Sequence, residues 1–103
     1  MSTTEARALA ERDPVVILPL AAIEQHGPHL PLSTDLDIGM GLLATAFCNL
    51  PDDFPAWLLP PQAIGASREH TRYPGTLSLD PDLLSEVIYQ QGVALARCGV
   101  RRL

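Results

Sequence analysis

The stretch VVILPLAAIEQHGPHLPLSTD, Val15 to Asp35, passes from an apolar run into a segment crowded with groups that bind metals or move protons. Its first part, Val15 to Leu20, is rich in β-branched residues and unbroken by charge. Such a run fits a strand covered on both faces, as in a parallel sheet. Pro19 marks its end, because proline cannot donate to a ladder. The second part, Ile23 to Asp35, holds two histidines, a glutamate, an aspartate and two prolines in thirteen positions. Gly27, Pro28 and Pro31 forbid regular structure across it, so it reads as a loop leaving the strand.

Outward from this stretch, strands and helices alternate. Residues 4–12 read as a short helix capped by Thr3 or Thr4, with Ala6, Leu9 and Ala10 as its apolar stripe. After the loop, Thr34 or Asp35 is placed to cap a helix over 35–49, whose face is Leu36, Met40, Leu43 and Phe47. AWLLPP, Ala56 to Pro61, reads as a second strand stopped by its prolines. A further loop carries GASREHTRYPGTLSLD, Gly65 to Asp80. Asp80 followed by Pro81 is a strong helix start. That helix runs to about Arg97, with Leu84, Val87, Ile88, Val93 and Leu95 as candidate core. Cys98-Gly99 ends it, and Val100 to Leu103 begins a third strand. This alternation predicts an α/β fold, a layered parallel sheet flanked by helices, within one domain over residues 1–103.

Composition narrows the function. The chain has 103 residues, 47% of them hydrophobic, so it has material for one small core. A net charge of -5 argues against nucleic acid, which is bound through clustered Lys and Arg. The basic residues Arg97, Arg101 and Arg102 read as a solvated end. Cys48 and Cys98 lie in unrelated contexts with no zinc-knuckle or disulfide spacing, and read as two buried thiols in a reducing compartment. Trp57 also reads as core. No apolar run reaches the length of a membrane span, and the first thirteen residues are polar and charged, unlike a signal peptide. The expected location is the cytoplasm.

The chemistry is concentrated at Glu24, His26 and Asp35. In extended chain, positions i and i+2 point the same way, so Glu24 and His26 can face one site. Asp35 returns nine residues later, after a loop stiffened by prolines. Two carboxylates and an imidazole form an oxygen/nitrogen set suited to Zn(II), Mn(II) or Fe(II). Taken singly, each residue is as ordinary as a surface charge or a helix cap, and Asp35 sits where a cap belongs. A Glu-x-His pair is far less specific than a helical HExxH.

The longer string is more specific. LPLAAIEQHGPHLPLSTD closely resembles the signature of the creatininase (creatinine amidohydrolase) family, Leu-Pro-x-Gly-Ser-x-Glu-Gln-His-Gly-Pro-His-Leu-Pro-Leu-x-Thr-Asp. From Glu24 to Asp35 the match is unbroken apart from the variable position at Ser33. EHTRYPGTLSL, Glu69 to Leu79, resembles the family's second block, Glu-His-x-x-Phe-Pro-Gly-Thr, with Tyr73 in place of Phe. Ala21 and Ala22 stand where Gly-Ser is usual, a departure expected to reshape the loop before Glu24.

What the resemblance implies is a metal-dependent amidohydrolase acting on the C–N bond of a small amide, cyclic amides included. By analogy with the family's dinuclear site, Glu24 would bind one ion, His26 the other, and Asp35 would bridge them, with Zn(II) or Mn(II) as the metal. His29, Glu69 and His70 would face the substrate or stand behind the ligands, the alternatives being loop-stabilising hydrogen bonds and, for Glu69, a plain surface charge. The family's remaining ligands lie in a later Asn-Gly-His block that residues 1–103 lack. The chain therefore reads as the N-terminal portion of such a protein, a fragment carrying half of an active site. Two readings stay open: a half-site of a working hydrolase, or an inactive remnant or split subunit that acts only with a complementing chain. Homo-oligomerisation is the family leaning.

Overall fold

The computed structural model describes residues 1–103, in the order helix α1 (Thr3–Ala10), strand β1 (Val15–Ile17), helix α2 (Thr34–Cys48), strand β2 (Ala56–Leu58) and helix α3 (Pro81–Arg97). A single 3-10 turn, Arg68–His70, lies in the loop before α3. Strands β1 and β2 pair in parallel, with Val15 opposite Ala56, Val16 opposite Trp57 and Ile17 opposite Leu58. Arg102 adds one parallel bridge to Val15 on the other edge of β1, through Val16 N–H donating to the Arg102 carbonyl at 2.9 Å. The expected third strand is thus present as a single rung, and β1 is central. The fold is α/β, with parallel strands and flanking helices, as the alternation predicts.

Both strands are shorter than the apolar runs that encode them. The ladder stops at Ile17 and Leu58 and resumes for one bridge at Leu20 and Gln62. Pro19, Pro60 and Pro61 lie in the gap, and a residue without an N–H cannot continue the donor series. Past the gap, Gln62 N–H still donates to the Pro19 carbonyl at 2.9 Å and Ala21 N–H to the Gln62 carbonyl at 3.1 Å. The two chain segments therefore stay parallel beyond the strands, which carries Ala21 to Glu24 out over the sheet end.

Two helix starts differ from expectation. Ser2, not Thr3 or Thr4, caps α1, because only Ser2 has Glu5 three residues on. Ser2 Oγ accepts from Glu5 N–H at 3.3 Å, and Glu5 Oε2 accepts from Ser2 N–H at 2.5 Å, a reciprocal capping box. The N-cap of α2 is Ser33, so Asp35 lies inside the first turn and caps nothing. At α3 the start is as expected: Asp80 caps by accepting from Asp82 N–H at 2.9 Å, with Pro81 at the first helical position.

The core is small. Val16, Leu95 and Val100 form it, with Trp57 and Leu59 packed against it. The expected faces of the helices are right in direction but only half-buried: Leu36, Met40, Leu43 and Phe47 on α2, and Leu84, Val87, Ile88 and Val93 on α3. The sheet is not covered on both faces. An open apolar cavity of about 500 Å³ runs along β1 between Val15, Ile17, Leu20 and Ile88.

One reading of single residues is corrected. Cys48 and Cys98 are exposed free thiols, because each sits at a helix end facing outward. Arg97, Arg101 and Arg102 are exposed, as expected of a solvated end, and two of them reach Asp13 at the surface. Arg101 Nε lies 3.2 Å from Asp13 Oδ1 and Arg102 Nη2 lies 3.3 Å from Asp13 Oδ2. They hold Asp13 at φ 52°, a left-handed conformation that Asp tolerates better than most residues. No helix is long and apolar enough to cross a membrane.

Candidate metal centre

The loop that leaves the sheet is pinned on both sides. Ile23 bridges Leu77 in antiparallel fashion, with Leu77 N–H donating to the Ile23 carbonyl at 2.8 Å. Glu24 N–H donates to the Leu32 carbonyl at 3.1 Å, which closes the proline-rich segment into a compact loop. Gly27 turns the chain at φ 75°, a region glycine enters without steric cost. The loop then delivers Thr34 and Asp35 directly into α2.

Glu24, His26 and Asp35 converge. One ligand atom from each lies within 4.8 Å of the others, and all three residues are half-buried. His26 Nε2 is 3.3 Å from Asp35 Oδ2. Because Ser33 holds the cap position, the Asp35 carboxylate is free to make this contact rather than close the helix. Asp35 also lies in the first turn of α2, where the helix macrodipole favours an anion.

The donor set fits a divalent cation. Two carboxylates and one imidazole are hard-to-borderline ligands without thiolate. A bound ion would take over the contact that His26 and Asp35 now make with each other. Beside the cluster is an open groove of about 440 Å³, lined by Glu24 and Asp35 with Ala21, Ala22, Gly65 and Ser67. A small ligand in it would meet both carboxylates.

The other expected site residues are placed differently from one another. His70 joins the cluster from the second block: Nε2 is 3.5 Å from Glu24 Oε1, and Nδ1 is 3.0 Å from Gln25 Nε2. Glu69, its neighbour in the 3-10 turn, is exposed and outside the cluster. His29 is exposed and lies against Gly27, whose Cβ position would be 3.5 Å from the imidazole.

Two contributors escaped the sequence reading. Gln25 alternates with Glu24 and His26, so its side chain turns the other way, toward the second block. Its N–H donates to Thr76 Oγ1 at 3.1 Å, and its Oε1 accepts from Gly27 N–H at 3.0 Å. Period-2 alternation was the signal that could have found it. Gly65 was not foreseeable, since it matters only through a close approach. A Cβ there would stand 2.6 Å from the Ala21 carbonyl oxygen and 3.7 Å from Ala22 Cβ. That gap is what lets the backbone at Ala21 pass close to Gly65.

Comparison with known proteins decides the family. The family model for creatininase, described as creatinine amidohydrolase, matches residues 1–103. The chain belongs to the creatininase family. It is 37% identical over 109 residues to the mycofactocin precursor peptide peptidase of Mycobacterium tuberculosis (strain ATCC 25618 / H37Rv), covering 100% of this chain and 43% of that protein. A solved structure named creatininase Mn superimposes with a TM-score of 0.79 at 34% identity, over 100% of this chain and 41% of that one. A mutant creatininase of the Zn-Zn type gives a TM-score of 0.78 at 34% identity, again over 100% and 41%. The chain thus spans less than half the length of these creatininase-family relatives.

Proposed function

We propose that this chain, as the N-terminal part of a single creatininase-like domain, supplies Glu24, His26 and Asp35 to a divalent-metal site that hydrolyses a C–N amide bond. The observation that carries this is their convergence within 4.8 Å, on a loop and helix end beside an open groove. The relatives' names, an amidohydrolase and a peptide peptidase, both describe cleavage of such a bond. The Mn and Zn-Zn creatininase structures support Mn(II) or Zn(II) as the metal.

A divalent cation bound there supplies Lewis acidity, polarising an amide carbonyl and acidifying water. Glu24 and His26 would hold the cation from the loop, and Asp35 would hold it from the start of α2. Asp35, which has His26 on one side and lines the groove with Glu24 on the other, would be the carboxylate shared between ions if two were bound. Ala21, Ala22 and Ser67 shape the wall against which a small amide would rest.

A second reading has its own observation. Only three ligand groups come together in residues 1–103, and metal affinity rises with ligand count and with the support behind the ligands. On this reading the chain binds metal weakly and reaches full activity with ligands from a complementing chain or a homo-oligomer.

Calorimetric titration with Zn(II) and Mn(II) separates these ideas. We expect saturable, weak binding that falls about tenfold or more in each of Glu24→Gln, His26→Ala and Asp35→Asn. Binding that survives all three substitutions would overturn the site. Hydrolysis of creatinine and of short peptide amides by the 103-residue chain should not exceed that of Glu24→Gln. Clear turnover lost in that variant would instead favour a self-sufficient catalyst.

A further inference from the structure

The side chain of Gln25 touches no candidate ligand, yet it decides the polarity of the imidazole that does. Gly27 N–H points at one end of the Gln25 amide at 3.0 Å. A backbone N–H only donates, so the atom it meets is the amide oxygen. The other end, 3.0 Å from His70 Nδ1, is therefore the NH2 group. An NH2 group only donates, so Nδ1 accepts. A neutral imidazole with an accepting Nδ1 carries its hydrogen on Nε2. That atom faces Glu24 Oε1 at 3.5 Å.

We propose that Gln25 is a positioning residue: it fixes His70 as the Nε2–H tautomer, and that N–H orients the Glu24 carboxylate before a cation arrives. At 3.5 Å the approach is longer than an ordinary hydrogen bond, so it acts as an electrostatic contact between the ring edge and the carboxylate. With Nε2–H toward the carboxylate it is attractive; with a lone pair there it would be repulsive and Glu24 would turn away. The pair is sheltered, with the side chain of Glu24 15% exposed and that of His70 29%. The parts are also held in register. Thr76 Oγ1 accepts from Gln25 N–H, and His70 N–H donates to the Ser67 carbonyl at 3.0 Å. The two sequence blocks are thus joined through this one amide, which gives the Gln between Glu24 and His26 a purpose that alternation alone does not.

The value of this device for metal binding rests on the proposed metal site; the tautomer itself does not. The experiment uses the full chain labelled with ¹⁵N-histidine and metal-free, at about pH 8, above the ordinary imidazole range. Long-range ¹H–¹⁵N spectra should show His70 protonated at Nε2 and unprotonated at Nδ1. A parent spectrum with the proton on Nδ1 would overturn the proposal without any variant being made. Gln25→Glu keeps the shape and the Gly27 contact but presents a second acceptor to Nδ1, so Nδ1 should become protonated. Zn(II) affinity, read by calorimetry, should then fall about tenfold.

The substitution also adds a charge, which a second background controls for. His70→Gln keeps an amide N–H near the Nε2 position and should retain more affinity than His70→Leu. In the His70→Gln background, Gln25→Glu should no longer weaken binding. An equal loss in both backgrounds would overturn the tautomer role. If no variant, nor the parent, binds Zn(II), the metal-site reading fails while the spectra still decide what Gln25 does.

Discussion

At the scale of single residues, Gly65 shows how a site is tuned from beneath. Its missing side chain lets the Ala21 carbonyl approach to where a Cβ would be 2.6 Å away. Gly65→Ala must therefore displace the Ala21–Ala22 backbone, three residues before Glu24. We expect a loss of about 1–3 kcal/mol in stability, the usual range for overpacking, together with weaker Zn(II) binding. Denaturant unfolding and calorimetry check the two effects, and unchanged stability would show that the loop has room to move. Glu24, His26 and Asp35 were legible as candidates because their residue types already state the chemistry, and Asp35 only lost its capping role once it was seen to lie inside the first turn of α2. Gly65 and Gln25 were not legible, because their roles lie in what they approach across the chain: Gly65 a backbone carbonyl 44 positions earlier, Gln25 an imidazole 45 positions later.

At the scale of elements, the start of α3 and the helix faces were readable, whereas the caps of α1 and α2 and the strand lengths were not. The reason is locality. A cap or an apolar stripe is decided within a turn, as with Asp80-Pro81 at α3 and Leu36, Met40, Leu43 and Phe47 on α2. A strand ends where its partner's donors run out, and the prolines that end β1 and β2 lie on both segments. The Asp80 cap gives a pH prediction. The Asp82 N–H bond lowers the Asp80 pKa from its ordinary value; burial opposes it, and the nearby Arg68 guanidinium adds a smaller lowering. Glu5 is lowered in the same way, chiefly by its bonds with Ser2. Groups lowered on folding stabilise the folded state above the ordinary carboxylate pKa, and that contribution is lost as pH falls through the lowered one. Helicity followed by circular dichroism should therefore persist through the ordinary carboxylate range and drop below it. Asp80→Ala should remove the α3 part of this acid transition and lower the melting temperature at neutral pH. A transition identical to the parent's would mean that the cap contributes nothing.

At the scale of the molecule, the surface is too large for the mass. A compact monomer of 11.1 kDa exposes about 5,700 Å², whereas this chain exposes 6902 Å². Its radius of gyration is 16.0 Å, against about 13 Å for a compact chain of this length. The excess of roughly 1,200 Å² exceeds what one partner contributes to an ordinary interface, about 800 Å². Much of it is apolar: Leu20, Ile38, Leu42, Leu83 and Tyr89 are each more than half exposed. Exposed apolar surface on this scale drives association, so sedimentation at micromolar concentration should show self-association or a partly folded chain. The core explains why the second outcome is within reach. Three buried apolar residues carry it, and Leu95 is the largest of them. Leu95 also ties α3 to Val100, whose N–H donates to the Leu95 carbonyl at 3.1 Å. Leu95→Ala should cost about 2–5 kcal/mol, a large share of the roughly 5–15 kcal/mol a domain ordinarily has. Amide exchange in Val15–Ile17 and Ala56–Leu58 should then become fast, because β1 and β2 lose the only buried cluster that covers them. Slow exchange in both strands of that variant, with a compact monomer in sedimentation, would mean that the strands are held by the half-buried helix faces and not by the three-residue core.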